Sequence, residues 1–251
     1  MTIPALRTAS LNKSFGSLVV AQDVAITLPQ GARYALIGPN GAGKTTLINL
    51  ITGALQPDTG QILLGEDDIT AFEPDRRVKR GLARTFQINT LFPDLEPLEA
   101  VTLAICERQG VAGTWWRRLA GCRAAVDEAY EILTSLRLGA VCYRPTRELA
   151  YGQQRLLEIA LALATKPKVL LLDEPAAGVP RQEGGELFEA IANLASNITV
   201  LFIEHDMEVV FRFASRVIVM VGGRLLIEGT PAEIAADPRV REVYLGRARH
   251  G

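Results

Sequence analysis

Residues 36–46 read LIGPNGAGKTT, an apolar strand end followed by Gly38, Gly41 and Gly43, then Lys44 and Thr45, and they run on into the helical stretch TTLINLITG. Glycines at this spacing let the backbone N–H groups of a loop, here with Pro39, Asn40 and Ala42 between them, wrap closely around an anion. A lysine at the end of the loop adds a compact positive charge suited to the β and γ phosphates of a nucleotide. The Thr45 hydroxyl, with Thr46 next in the helix, can bind a Mg²⁺ ion. The chemistry of this stretch is phosphate binding, and its strand-loop-helix context is complete.

A second acidic group stands far downstream. In VLLLDEP, residues 169–175, Asp173 ends an apolar run where a carboxylate can hold a Mg²⁺ shell, and Glu174 beside it can orient or deprotonate water. Two acids at a strand end are also ordinary solvated punctuation, so this reading depends on the phosphate loop upstream. A third stretch, LAYGQQR at 149–155, is polar and passes into Leu156, Ile159, Ala160 and Leu163 at helical spacing. It reads as a buried helix whose exposed end must touch something.

The elements that position these groups are mixed. SLVVAQDVAITL, ARYALIG and GQILLGEDDI read as short strands, whereas from about Leu95 to Arg147 helix formers dominate, as in PLEAVTLAICERQ and CRAAVDEAYEILTSLRL. Between those two, GVAGTWWRRLAG places Trp115 and Trp116 beside Arg117 and Arg118, a pairing that suits a membrane surface or a loop of a partner protein as well as a packed loop with solvated arginines. Buried strands then return as KVLLLDEP, ITVLFIEH and RVIVMVGGRLLIEG, and the alternation with helices predicts an α/β fold around a parallel sheet covered on both faces.

Composition bounds the partners. The 251 residues are 48% hydrophobic and 22% charged with a formal net charge of -1, so nothing in the bulk electrostatics calls for nucleic acid. There is no apolar export segment at the N-terminus and no run near the ~20 apolar residues of a spanning helix, which predicts a soluble chain. Cys106, Cys122 and Cys142 lack metal-ligand spacing and read as structural or incidental thiols of a reducing compartment.

In order along the chain these residues resemble the ATP-binding cassette family. GPNGAGKT is similar to the Walker A loop, LLLDEP to the Walker B strand, Gln87 in RTFQ to the Q-loop, LAYGQ to the signature, and His205 in IEHD to the switch histidine. The resemblance implies a P-loop NTPase (RecA-like) core with an N-terminal antiparallel β subdomain and an inserted helical subdomain. It further implies a single domain over 1–251, with about 1–90 and 148–230 forming the core with its β subdomain, about 91–147 the helical subdomain and about 231–251 a helical tail. It also implies ATP and Mg²⁺ as cofactors, with Thr45, Gln87 and Asp173 near the metal, Glu174, His205 and Gln87 in hydrolysis, and Phe15 in KSFG stacking on adenine. As an aromatic in an early strand, Phe15 equally suits a core position. In that family Ala150, Tyr151, Gly152 and Gln153 face the γ-phosphate bound by a second cassette, so a second ATPase subunit, identical or different, is expected. Two departures stand out: Ala150 replaces a serine and Tyr151 a glycine of the signature, and Gly178, Val179 and Pro180 replace the usual D-loop, with no N–H on Pro180.

GLARTFQ, LFPDLEPLEAV, EPAAG, the long run from IEHDMEVV to GTPAEI and the tail DPRVREVYLG resemble the ATP-binding subunit of branched-chain amino-acid importers, a branch that also serves urea, amides and aromatic acids. The resemblance implies two integral membrane permeases, a periplasmic or lipid-anchored solute-binding protein and a cytoplasmic position, peripheral on the inner face of the membrane. The alternatives are a lipopolysaccharide-type exporter and a non-transport cassette ATPase. Repair types of the latter carry a long coiled-coil insertion and translation types two cassettes, and this length has room for neither. A kinase or GTPase would leave LAYGQQR without a task, and the Asn-Lys-x-Asp guanine motif of a GTPase is absent from the sequence.

Overall fold

The computed structural model describes residues 3–85, 91–110 and 123–245. Gln87, Trp115, Trp116, Arg117, Arg118 and Cys122 lie outside these. The chain divides into two compact units, the first made of 1–82, 168–174 and 196–251, the second of 83–167 and 175–195.

In the first unit, β1 (Leu6–Phe15) pairs antiparallel with β2 (Leu18–Val24), with β3 (Thr27–Leu28) and with β5 (Thr59–Leu64), which in turn pairs with β6 (Asp67–Asp68). This is the expected antiparallel β subdomain. The second sheet runs in the order β11 (Arg224–Gly229), β10 (Arg216–Val221), β4 (Arg33–Ile37), β9 (Thr199–Ile203), β8 (Val169–Asp173), β7 (Leu82–Arg84), the last strand carrying the chain out of the unit. From β10 to β8 the pairing is parallel, and β11 pairs antiparallel with β10. Every residue of β8 and β9 is buried. Their uninterrupted apolar runs are what a parallel strand covered on both faces requires.

The helix α1 (Lys44–Thr52) follows β4 and sinks Leu47, Ile48, Leu50 and Ile51 into the core. Its far end is held by a buried arginine from α2 (Pro74–Arg80). Arg77 has no solvent exposure, and its guanidinium donates to the carbonyls of Leu50 at 2.8 Å, Ile51 at 2.7 Å, Phe72 at 2.8 Å and Thr70 at 2.7 Å. The last carbonyls of a helix have no partner within it, and this fork of donors supplies one for two of them. Burial lowers the Arg77 pKa, with Glu73 and Asp68 opposing. The tail forms α8 (Pro231–Ala236) and α9 (Pro238–Leu245), capped at its start by Thr230 and Glu233, and buries Ile234 and Val240.

The second unit is helical. It contains α3 (Pro97–Arg108), α4 (Arg123–Ser135), α5 (Tyr151–Ala164) and α6 (Arg181–Ala192). Arg108 of α3 grips the Glu128 carboxylate of α4 with both terminal nitrogens, at 2.9 and 2.8 Å, and donates to the Ala164 carbonyl at the end of α5 at 2.6 Å. One guanidinium thus ties three helices together. In this unit α5 packs against α3 and α4, and α6 packs on α5. Composition marks where strand signals stop, whereas compactness follows which apolar faces meet.

Candidate nucleotide site

The strand order brings distant residues to one edge. β4, β9 and β8 are parallel neighbours, so their C-terminal ends lie together, and ligands of open α/β sheets bind beyond such ends. The phosphate loop leaves β4, Asp173 ends β8 opposite Ile203 of β9, and His205 follows two residues later.

Two loop glycines are dictated by their surroundings. A Cβ on Gly38 would stand 2.1 Å from the Met220 carbonyl oxygen, and one on Gly43 would stand 2.5 Å from the Val20 carbonyl oxygen and 2.9 Å from Met220 Cε. Gly43 also has φ +99°, a conformation that L side chains disfavour. The loop is further pinned by the Gly223 N–H donating to Ala42 O at 2.9 Å. Gly43 is the N-cap of α1 and offers no side chain, and the first turn carries no acid. The helix therefore presents open backbone donors and its positive end to an anion.

Lys44 is buried to 7% exposure, with Nζ donating to the carbonyls of Gly38 at 2.8 Å and Pro39 at 3.2 Å. Burial lowers its pKa, while Glu174 and Asp173 act in the opposite direction. Thr45 and Asn40 are exposed, Thr46 and Pro39 half-buried, and Ala42 buried. Asp173 is 2% exposed at the strand end. Glu174 is held in the left-handed region at φ +49°, with its N–H donating to Ile203 O at 3.1 Å. Non-glycine residues in that region concentrate where a site dictates the backbone. His205 Nε2 is hydrogen-bonded to Glu174 Oε1 at 2.5 Å. Glu204, buried at 6% exposure, accepts from the His205 N–H at 3.2 Å. Open helix donors, a buried amine, a hydroxyl and two carboxylates at one strand edge fit a nucleotide phosphate chain with a hard cation such as Mg²⁺.

Phe15 is 53% exposed at the end of β1, with Lys13 Nζ 5.7 Å from its ring centre. The ring is therefore not a core residue.

The signature residues lie in the second unit. Ala150 is the N-cap of α5 and provides no side-chain acceptor. Gln153 Oε1 accepts from the Ala150 N–H at 3.1 Å, and the Gly152 N–H donates to Glu183 Oε2 at 3.1 Å. Arg155 Nη2 donates to the Tyr151 hydroxyl at 2.8 Å and Nη1 to Glu158 at 2.8 Å. Burial raises the Glu158 pKa, with Arg155 opposing. The Tyr151 ring lies against Gly178, where a Cβ would come within 3.3 Å of it, and Pro180 serves as the N-cap of α6.

Sequence reasoning did not single out Glu204, Glu183, Arg77 or Tyr244 as partners of these groups. Burial pushes the Tyr244 hydroxyl of α9 up to about 12, with the Gly38 backbone N–H acting the other way. Tyr244 as a whole keeps 36% exposure. No local signal in the tail sequence points to the phosphate loop.

A strand-loop-helix phosphate cradle whose Walker B acids end a neighbouring parallel strand, with a helical unit bearing the signature, defines an ATP-binding cassette. The chain belongs to the ABC transporter family, whose model matches residues 21–177, and a model described as branched-chain amino acid ATP-binding cassette transporter matches 224–250. It is an ATPase subunit of that family. It is 37% identical to the high-affinity branched-chain amino acid transport ATP-binding protein BraF of Pseudomonas aeruginosa, across 99% of this chain and 100% of that one. It is 38% identical to LivG of Escherichia coli, which carries the same description, over the same shares. Among solved structures, an ATP-binding cassette of an ABC transporter in its ADP conformation superposes with a TM-score of 0.86 at 34% identity, covering 98% of this chain and 100% of that one.

Proposed function

We propose that this chain is the ATP-hydrolysing subunit of an importer for branched-chain amino acids or a related small solute. The observation that supports it most is the joint one at the sheet edge: an anion cradle, Asp173 and the Glu174–His205 pair at the ends of three adjacent parallel strands. The relatives over the full length are transport proteins by description, and this supports the importer branch.

In this reading Gly38, Pro39, Asn40, Gly41, Ala42, Gly43, Lys44, Thr45 and Thr46 hold the ATP phosphates and Phe15 stacks on adenine. Thr45 and Asp173 would hold Mg²⁺, with Gln87, outside the described residues, as a further ligand; bound there, the ion would supply neutralisation of charge on the β and γ phosphates. Glu174 takes the proton of a water whose oxygen attacks the γ-phosphorus, the bond to the β-phosphate oxygen breaks, and ADP and phosphate leave. His205, hydrogen-bonded to Glu174, orients that carboxylate and contacts the γ-phosphate.

Ala150, Tyr151, Gly152 and Gln153 act on the ATP of a second cassette, as the helix N-terminus favours an anion. The other partners are two membrane permeases and, through them, a solute-binding protein. Among the described residues no helix is long and apolar enough to cross a membrane. In this reading the chain docks on those permeases, peripheral on the inner face of the membrane.

The test uses the transporter assembled with its second cassette and permeases. Glu174→Gln should lower turnover by about 10²–10⁴-fold while ATP still binds and a closed complex accumulates. Gly152→Asp should bind ATP on its own loop yet lose turnover. Wild-type turnover in Glu174→Gln removes the assigned base, and wild-type turnover in Gly152→Asp removes the action on a neighbour.

A further inference from the structure

The helix α5 begins without an oxygen where one is needed. The first N–H groups of a helix have no partner within it, and an N-cap serine, threonine, aspartate or asparagine accepts from the second or third of them. Ala150 at the N-cap cannot do this. The second N–H of α5 belongs to Gly152, and it donates instead to Glu183 Oε2 at 3.1 Å, an acceptor 31 residues away in the first turn of α6. The acceptor missing at position 150 is supplied from another helix, and it arrives as a carboxylate, the charge that a helix N-terminus favours.

The approach is close. A Cβ on Gly152 would stand 2.7 Å from Glu183 Oε2 and 3.2 Å from Glu183 Cβ, so the carboxylate lies directly on the glycine and would have to shift for any larger residue. On its other flank the loop before α6 is fenced by the Tyr151 ring against Gly178, with the Tyr151 hydroxyl accepting from Arg155 at 2.8 Å.

We propose that Glu183 is an internal competitor for phosphate at the signature helix. Its carboxylate caps α5 in the open cassette and must leave the Gly152 N–H before a neighbouring cassette's γ-phosphate can take it, so Glu183 sets the ATP concentration at which two cassettes close. This rests on the reading that α5 acts on a neighbour's nucleotide. One N–H serves one strong anionic acceptor at a time, and two anions at contact distance repel.

The experiment uses the assembled transporter carrying Glu174→Gln, so that closure is read without turnover, and measures the ATP concentration of half-closure by sedimentation. Glu183→Gln keeps the size and an acceptor oxygen but removes the charge. It should shift half-closure to about two- to five-fold lower ATP, with unaltered ATP affinity of the chain measured alone. Ala150→Ser combined with Glu183→Ala returns a cap oxygen to its local place and should shift half-closure in the same direction with a wild-type unfolding midpoint. A merely structural cap moves the readouts the other way: Glu183→Gln then lowers the unfolding midpoint and raises the ATP needed. That result, or an unchanged half-closure concentration, overturns the proposal. If Gly152→Asp turns over ATP normally in the same complex, the action of α5 on a neighbour has failed instead.

Discussion

The proposed function gives anion chemistry to two helix N-termini, and they are built in opposite ways. α1 starts at Gly43 and α5 at Ala150, and neither N-cap brings a side-chain acceptor. Around α1 the backbone does the shaping: the carbonyls of Met220 and Val20 crowd the loop glycines, and no acid sits in the first turn. The donors are left open and the nearest charge is the Lys44 amine. Around α5 a side chain does the shaping, since the Glu183 carboxylate takes a first-turn N–H directly. A site that binds its own nucleotide gains from rigid backbone walls, because preorganised donors lose little freedom on binding. An end that meets a ligand only when another protein brings it must otherwise satisfy its donors, and a swinging carboxylate does this reversibly.

The contrast can be broken at its strongest point with Lys44→Ala. Removing a charge-assisted contact to phosphate should cost on the order of 1.5–3 kcal/mol of ATP binding or more, while the same change in charge near α5 should leave ATP affinity alone. Nucleotide titration of the purified chain decides it, and wild-type affinity in Lys44→Ala means that this loop is not the phosphate cradle.

Phe15→Ala tests the open ring of the nucleotide side. Because the side chain is half-exposed, its loss should leave the thermal midpoint nearly unchanged while weakening ATP by about 1–3 kcal/mol, the scale of base stacking on an aromatic. A lowered midpoint with unchanged affinity shows a packing residue in place of a stacking one.

The finest comparison sets one glycine from each helix end side by side. Gly43→Ala drives a methyl into a backbone carbonyl at a left-handed φ and should cost about 1–3 kcal/mol of unfolding free energy. Gly152→Ala meets the far end of one flexible side chain, so Glu183 should swing aside for less than about 1 kcal/mol, and Glu183→Ala should remove even that. Urea unfolding of the three variants measures both. Equal costs at the two glycines mean that the α5 end is as rigidly walled as the α1 end.

Much of the site is legible in the sequence because its chemistry is local. A loop that wraps phosphate needs its glycines, lysine and hydroxyl within a few residues of each other. Likewise Asp173 and Glu174 follow one apolar run and His205 another. The partners that crowd or satisfy those residues are not legible. Met220 and Val20 contribute backbone carbonyls, which any residue type has, and Arg77 reads in the sequence as one more base of a charged helix. Glu183 sits among ordinary polar residues, and nothing adjacent marks it as the cap of a helix that starts 32 positions earlier.

By itself, then, the sequence determined the α/β class, the family, the phosphate loop and the acids at the strand ends, since each follows from apolar periodicity or from residue types packed into a short span. The tertiary structure alone decided which strand ends adjoin, because the order β4, β9, β8 comes from crossover connections and not from chain order. It alone assigned α5 and α6 to the helical unit through the faces they bury, and set Glu183 on Gly152, a contact between helices that depends on how those faces seat.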